Sequence, residues 1–246
     1  MMESWLLAVQ FLTRLPVPSS AVEPSEEIQG RSVLFYPLVG LLIGLLLLLL
    51  YYLTGDSASS LQAVLILGFW VALTGALHLD GLADLADAWI GGQGERERTL
   101  EVMKDTHSGP IAVTALILLL LAKFVALEVI LEKELWSVLL LVPMLGRAGL
   151  VASLLTMSYV RADGLGAVLS ANLPAEQGRN VVIASALFSL LFLGWSGLLL
   201  LAVLVVIYML LHQALMKRLG GVTGDAAGAV CEILEATALV ALALMI

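Results

Sequence analysis

From Val33 to Leu53 the chain carries no charged side chain, and further long apolar stretches follow at 61–77, 110–131, 137–157, 181–215 and 226–246. About 20 mainly apolar residues are needed to cross the hydrocarbon core of a bilayer. In that core a helix satisfies its own backbone amides and carbonyls, which a loop cannot do. The expected fold is therefore all-α and polytopic, a single membrane-embedded domain over 1–246. It should have about seven transmembrane helices plus an N-terminal interfacial or re-entrant helix. Composition agrees: 61% of residues are hydrophobic and 13% are charged, against about 25% charged in a soluble domain.

Boundaries follow from the polar interruptions. Thr54–Ser60 and Glu132-Lys133-Glu134 are short turns, whereas His78–Gly109, 158–180 and Met216–Asp225 are longer polar segments. The block 181–215 is too long for one span and short for two, and Gly194 with Gly197 marks its break. Trp5–Leu15 is apolar but too short to span, and Pro16 and Pro18 end it. Met1–Leu15 has Glu3 early, no basic start and no small-residue cleavage site, so no cleavable signal peptide is expected.

Lys and Arg collect on cytoplasmic loops. With the N-terminus inside, Arg14, Arg31, Arg96, Arg98, Lys104, Arg161, Arg179, Lys217 and Arg218 all face the cytoplasm, nine of twelve basic residues. Lys133 falls outside, and Lys123 and Arg147 fall within spans. This predicts a membrane protein, in contact with membrane lipid, whose polar loops and any active site they build face the cytoplasm. The net charge of −8 argues against nucleic acid as a partner and suits a protein that recruits divalent cations. The one cysteine, Cys231, makes no intrachain disulfide and no metal-type pair. A homo-oligomer is compatible with all of this.

Residues 78–88 read H-L-D-G-L-A-D-L-A-D-A. Asp80, Asp84 and Asp87 stand at i, i+4 and i+7, one stripe of a helix. Three adjacent carboxylates repel unless a cation lies between them, and Mg²⁺ prefers such oxygens together with substrate phosphates. The bland alternative is a solvated acidic face. Apolar residues between the acids, with Gly81 and His78 beside them, favour a metal-binding face; His78 is assigned to substrate. The following E-R-E-R-T-L-E-V-M-K-D run is either a helix of solvated ion pairs or a phosphate clamp made by Arg96, Arg98 and Lys104. His107 is a candidate base, or structural.

Gly220-Gly221-Val222-Thr223-Gly224-Asp225 opens the last span. Consecutive amides at a helix N-terminus make an anion site, for which Gly221 and Gly224 are candidates; the alternative is a linker with Asp225 as N-cap. Lys123 and Arg147 are costly in a span unless they face protein, water or a partner. For Lys123 a structural pairing is expected, with Glu128 near enough in sequence to help. Arg147, after Pro143 in P-M-L-G-R, is assigned to substrate. Arg161, Asp163 and Gly164–Gly166 form a further loop cluster.

These motifs together resemble the cobalamin synthase (adenosylcobinamide-GDP ribazoletransferase) family nearly end to end. The likeness lies in F-L-T-R-L-P-V-P at 11–18, P-L-V-G-L-L-I-G at 37–44, the Asp motif at 78–88, M-K-D at 103–105, R-A-D-G-L-G at 161–166 and G-G-V-T-G-D at 220–225. One departure is that the family's arginine after the M-K/R-D element is absent from Thr106-His107-Ser108-Gly109. The resemblance implies a Mg²⁺-dependent membrane phosphotransferase joining adenosylcobinamide-GDP to α-ribazole or α-ribazole 5′-phosphate, with release of GMP. It would hold metal on Asp80, Asp84 and Asp87, and Asp84, Asp87, Asp225 and Lys104 would be catalytic. Two other classes compete. A CDP-alcohol-type phosphotransferase of lipid synthesis would use the same acidic logic. An ion-coupled transporter would place its acids near the midplane.

Overall fold

In the computed structural model, which describes residues 1–18, 24–105, 107–161 and 165–246, the apolar stretches become helices. A short α1 (Met2–Leu12) and α2 (Glu26–Ser32) lead through a 3₁₀ turn, Val33–Phe35, into α3 (Tyr36–Thr54). There follow α4 (Ser59–Thr74), α5 (Leu77–Gly91), α6 (Arg96–Val102), α7 (Pro110–Glu132) and α8 (Ser137–Thr156). The chain ends with α9 (Leu165–Ala171), α10 (Ala175–Leu219) and α11 (Gly224–Leu244). Five of these helices are long and apolar enough to cross a membrane, counting α2 with α3 as one and adding α7, α8, α10 and α11. The bent pair α4 and α5 supplies a sixth. The chain is an all-α integral membrane protein.

The 45 residues of α10 hide a further crossing. A straight helix of that length would run about 68 Å, twice the hydrocarbon thickness of about 30 Å. Gly194 leaves the helical region at φ 53°, ψ −125°, a conformation open to glycine. A Cβ placed on Gly197 would lie 3.2 Å from the Ser189 carbonyl oxygen, so the chain has turned back on itself. Gly178 on the first arm packs against Leu155. On the second arm the Tyr208 hydroxyl lies 2.6 Å from Thr156 Oγ1. Residues 178 and 208 sit at similar distances from Gly194 in sequence, yet meet the same end of α8. The 181–215 block is therefore a helical hairpin broken at Gly194, and the apolar crossings number seven as expected.

Close backbone contact sets the packing. Gly40 and Gly44, the glycines of P-L-V-G-L-L-I-G, stand one turn apart where α3 lies on α8. A Cβ at Gly40 would fall 2.4 Å from the Pro143 carbonyl oxygen, and one at Gly44 2.6 Å from that of Leu139. Small residues at such a crossing let two membrane helices gain dispersion contact that bulkier side chains would deny. The N-terminal helix has the length that 5–15 predicts but lies three residues earlier, from Met2 to Leu12. Ala8 and Leu12 are fully buried, and Phe11 stacks on Tyr36 at the head of α3.

Two expectations need correcting. The second span ends at Thr74 rather than residue 77, because Gly75 and Ala76 both adopt left-handed backbone and turn the chain by 87°. His78–Gly109 is not simply a polar loop: 77–91 is a helix packed against α7 and α11. Its acids lie on one stripe, and Leu82, Leu85 and Trp89 occupy the other, where they line an apolar groove.

The interior also holds an ionic cluster. The Lys123 ammonium of α7 lies 2.6 Å from Glu232 and 2.7 Å from Glu235 of α11, and over the Trp70 ring. Arg147 of α8 pairs with the other oxygen of Glu235. Two cations and two carboxylates cancel, which is what such groups need in a membrane interior. The partner of Lys123 is thus the α11 pair rather than Glu128.

Candidate active site

The acidic stripe meets the final glycine motif where α5 crosses α11. Gly81 makes the crossing close: a Cβ there would fall 2.6 Å from the Asp225 carbonyl oxygen. One turn along, Gly228 stands opposite His78 in the same way. Asp80 and Asp84 flank Gly81 on the helix, so this contact brings Asp225 to them. The charged neighbours of the half-buried Asp84 are Asp80, Asp225, Arg161 and Asp87.

Asp225 is not the cap of α11. Thr223 fills that place, its Oγ1 accepting from the Ala226 amide at 3.1 Å. The Asp225 carboxylate is therefore free to face Arg161, whose guanidinium lies 2.9 Å away. Arg161 is delivered by backbone pairing: the strand-like stretch after α8 joins the glycine loop through Val160 N–H to Val222 O and Val222 N–H to Ser158 O, each 2.9 Å. Tyr159 turns its hydroxyl to accept from the Gly224 amide at 3.2 Å. Burial pushes the Tyr159 phenol up, so it stays protonated at neutral pH and serves as a hydrogen-bonding group rather than a base.

Several assigned residues have other places. Both oxygens of Asp87 accept backbone amides, those of Gly109 at 2.5 Å and Ala112 at 2.9 Å, so this acid holds the first turn of α7 instead of standing open to a metal. Arg96 donates through Nε to the Leu219 carbonyl oxygen at 2.7 Å and closes the end of α10. Arg98 is exposed and, among the described residues, hydrogen-bonds to Gln93 alone. Lys104 is exposed beside Asp105 on an open outer surface. The clamp expected from Arg96, Arg98 and Lys104 is thus not assembled at the acids. Arg147 is fully buried against Glu235, out of reach of a substrate. Gly221 serves the protein's own backbone, since a Cβ there would lie 2.1 Å from the Ser158 carbonyl oxygen. His107 is exposed and folds onto Asp105 at 2.8 Å. Asp163 and Gly164 lie outside the described residues. The cation that does reach the acids is Arg161. R-A-D-G-L-G pointed to its loop, but nothing in the spacing joined that loop to residue 225.

A cavity of about 270 Å³ opens at this junction. His78, Tyr159, Arg161, Gly224 and Asp225 line it on one side, while Phe11, Tyr36 and leucines of α8 and α9 line the rest. Oxygen donors of the kind Mg²⁺ prefers are present in Asp80, Asp84 and Asp225. Among the described residues no three His, Cys, Asp or Glu side chains form a ready metal cage. Mg²⁺ does not require one, because it keeps several waters and takes one or two carboxylates plus substrate phosphates. The donor set fits a metal whose shell a phosphate completes.

Comparison with known proteins shows the family. The sequence model of the cobalamin-5-phosphate synthase family matches residues 4–243. A protein of Stutzerimonas stutzeri named adenosylcobinamide-GDP ribazoletransferase is 51% identical over 241 residues, covering 98% of each chain. One of the same name from Pseudomonas fluorescens is 51% identical over 244 residues, 99% of this chain and 100% of its own. Another, from Ectopseudomonas mendocina, is 52% identical over 238 residues, 97% of each. No solved structure matches. The chain belongs to the cobalamin-5-phosphate synthase family.

Proposed function

We propose that the protein transfers the cobinamide phosphate of adenosylcobinamide-GDP to α-ribazole or its 5′-phosphate, releasing GMP, at the cytoplasmic face of the bacterial inner membrane. The observation that carries this is the clustering of charge from three separate segments of the chain: Asp80, Asp225 and Arg161 are charged neighbours of Asp84, and Arg161 pairs with Asp225 on the cavity wall. A diphosphate needs both features: carboxylates to hold a divalent cation, and a guanidinium whose planar fork takes phosphate oxygens. The distribution of basic residues over the loops supports the cytoplasmic placement.

In the reaction a ribose hydroxyl oxygen forms a bond to the cobinamide-side phosphorus, and the bond from that phosphorus to the oxygen bridging to GMP breaks. The bridging electron pair leaves with GMP, and the hydroxyl loses its proton. Asp80 and Asp84 would hold Mg²⁺, which when bound supplies charge neutralisation at the diphosphate. Arg161 takes the growing charge on the departing side. Once diphosphate oxygens occupy Arg161, the Asp225 carboxylate loses its partner and accepts the hydroxyl proton. His78, on the cavity wall with Nδ1 free of hydrogen-bond partners among the described residues, orients the ribose.

The test is direct. Purified protein in lipid nanodiscs is given adenosylcobinamide-GDP, α-ribazole and Mg²⁺, and GMP is measured. GMP formation that depends on both substrates and stops with chelator supports the proposal. Turnover of a CDP-alcohol in place of adenosylcobinamide-GDP would move the protein to the lipid phosphotransferase class.

A further inference from the structure

The apolar part of the cavity is unexplained by diphosphate chemistry. Phosphates and a metal need only Arg161 and Asp225 with the α5 acids nearby, yet the cavity is also walled by Phe11, Tyr36, Leu150 and Leu154. At about 270 Å³ it falls just below the range of roughly 300–1,000 Å³ that takes a drug-sized ligand. It is far too small for a corrin macrocycle. It has room for one planar ring system.

The wall carries a second, independent signal. Tyr36 is 2% exposed, and its hydroxyl makes no well-formed hydrogen bond among the described residues. Its one polar neighbour there is the Ser32 hydroxyl, which donates to the Gln29 carbonyl. His78 is 4% exposed with Nδ1 likewise unpartnered. Buried polar atoms in native proteins are nearly always satisfied, and each exception calls for a reason. Two such atoms on one small apolar cavity describe a ligand that is mostly apolar and offers a hydrogen-bond acceptor on the inner side.

We propose that this cavity is the seat of the aromatic base of the incoming nucleoside. The base packs against Phe11 and Tyr36, with the Tyr36 hydroxyl donating to its one free ring nitrogen. The proposal rests on the proposed function, whose acceptor substrate is a benzimidazole riboside: a flat bicycle with one ring nitrogen carrying the sugar and the other a lone-pair acceptor. With the base inward, the sugar lies toward His78 and the attacking hydroxyl emerges at Asp225. The phosphate donor stays outside, on Arg161 and the α5 acids. Specificity follows: a purine base would add ring nitrogens and exocyclic groups to an apolar wall that cannot pair them.

Calorimetric titration of α-ribazole into the protein in nanodiscs tests this separately from turnover. Wild type should bind α-ribazole, and bind guanosine far more weakly. Tyr36→Phe keeps the ring and loses the donor, and should weaken α-ribazole binding by up to about tenfold, the worth of one neutral hydrogen bond, while the KM for adenosylcobinamide-GDP stays unchanged. Leu154→Trp fills the cavity and should abolish binding. Folding of each variant is checked by the thermal exposure of Cys231, which is fully buried. A wild-type protein that forms GMP while folded Leu154→Trp binds α-ribazole normally would overturn this seat and leave the activity standing. Absence of α-ribazole binding by wild type would also overturn it. Absence of GMP in the turnover assay counts against the proposed function itself.

Discussion

Glu235 is shared by two cations, and its removal should cost more than the loss of either partner's contact alone. Lys123 is 3% exposed and Arg147 and Glu235 are fully buried, so water cannot replace a missing partner. Glu235→Leu leaves Arg147 with no carboxylate and the cluster at a net charge of +1, whereas Arg147→Met leaves both carboxylates still on Lys123. Breaking a buried pair by removing one partner costs about 3–5 kcal/mol. The insertion penalty for an unpaired arginine at mid-membrane, about 2.5–3.5 kcal/mol, overlaps that range. At about 3 kcal/mol, and about 2–4 °C per kcal/mol for a chain of this size, Glu235→Leu should lower the unfolding temperature by about 6–12 °C. Arg147→Met should lower it less. The double variant Arg147→Met, Glu235→Leu retains the neutral Lys123–Glu232 pair and should recover most of the loss, because replacing a whole ion pair by apolar groups is often neutral. The protein carries its own probe: its one cysteine, Cys231, is fully buried beside Glu235, so a thiol-reactive dye in a thermal ramp reports when α11 opens. If the double variant melts as low as the two single losses added together, the groups are not coupled and the cluster is not the unit described.

The two acids of the Asp motif should separate by role: Asp84→Asn loses turnover by roughly 100-fold or more with an unchanged dye-detected melt, as expected for one lost electrostatic contact to the reacting charge. Asp87→Asn weakens the start of α7 by about 0.5–2 kcal/mol and lowers the melt instead; equal kinetic damage from both would restore Asp87 to the metal. Arg161→Met should raise the KM for adenosylcobinamide-GDP by about ten- to a hundredfold, from the loss of a charged hydrogen bond of about 1.5–3 kcal/mol, and an unchanged KM would remove Arg161 from the donor site. For the hairpin, cysteines at Ala175 and at Lys217, the two ends of α10, each in a Cys231→Ser background, should label from the same membrane side. Labelling from opposite sides would mean that α10 passes Gly194 without turning back.

How far the sequence reaches can be seen at Asp84 and Arg161. Helical period alone puts Asp80 and Asp84 on one face, because spacing within a helix is fixed by geometry. It also puts Asp87 there, and here period misleads: sharing a face does not decide which partner a carboxylate finds, and Asp87 finds the free amides of α7. Gly194 could be read as a break because a membrane sets an outside limit on helix length. The corner at Gly75 and Ala76 could not, since an alanine in left-handed backbone has no local signal. Arg161 lies furthest from sequence reasoning. Its arrival at Asp225 depends on a two-residue backbone pairing between loops that follow α8 and α10, with no repeating pattern to announce it. The glycines mark where such long-range contacts occur without naming the partner. Gly221 yields to Ser158, Gly81 to Asp225 and Gly40 to Pro143, and in each case the missing side chain leaves room for another backbone rather than for a ligand. Gly224 differs, for it faces the cavity. In a protein built of packed apolar helices, a glycine is first a statement about which helices touch, and the chemistry is placed by that contact.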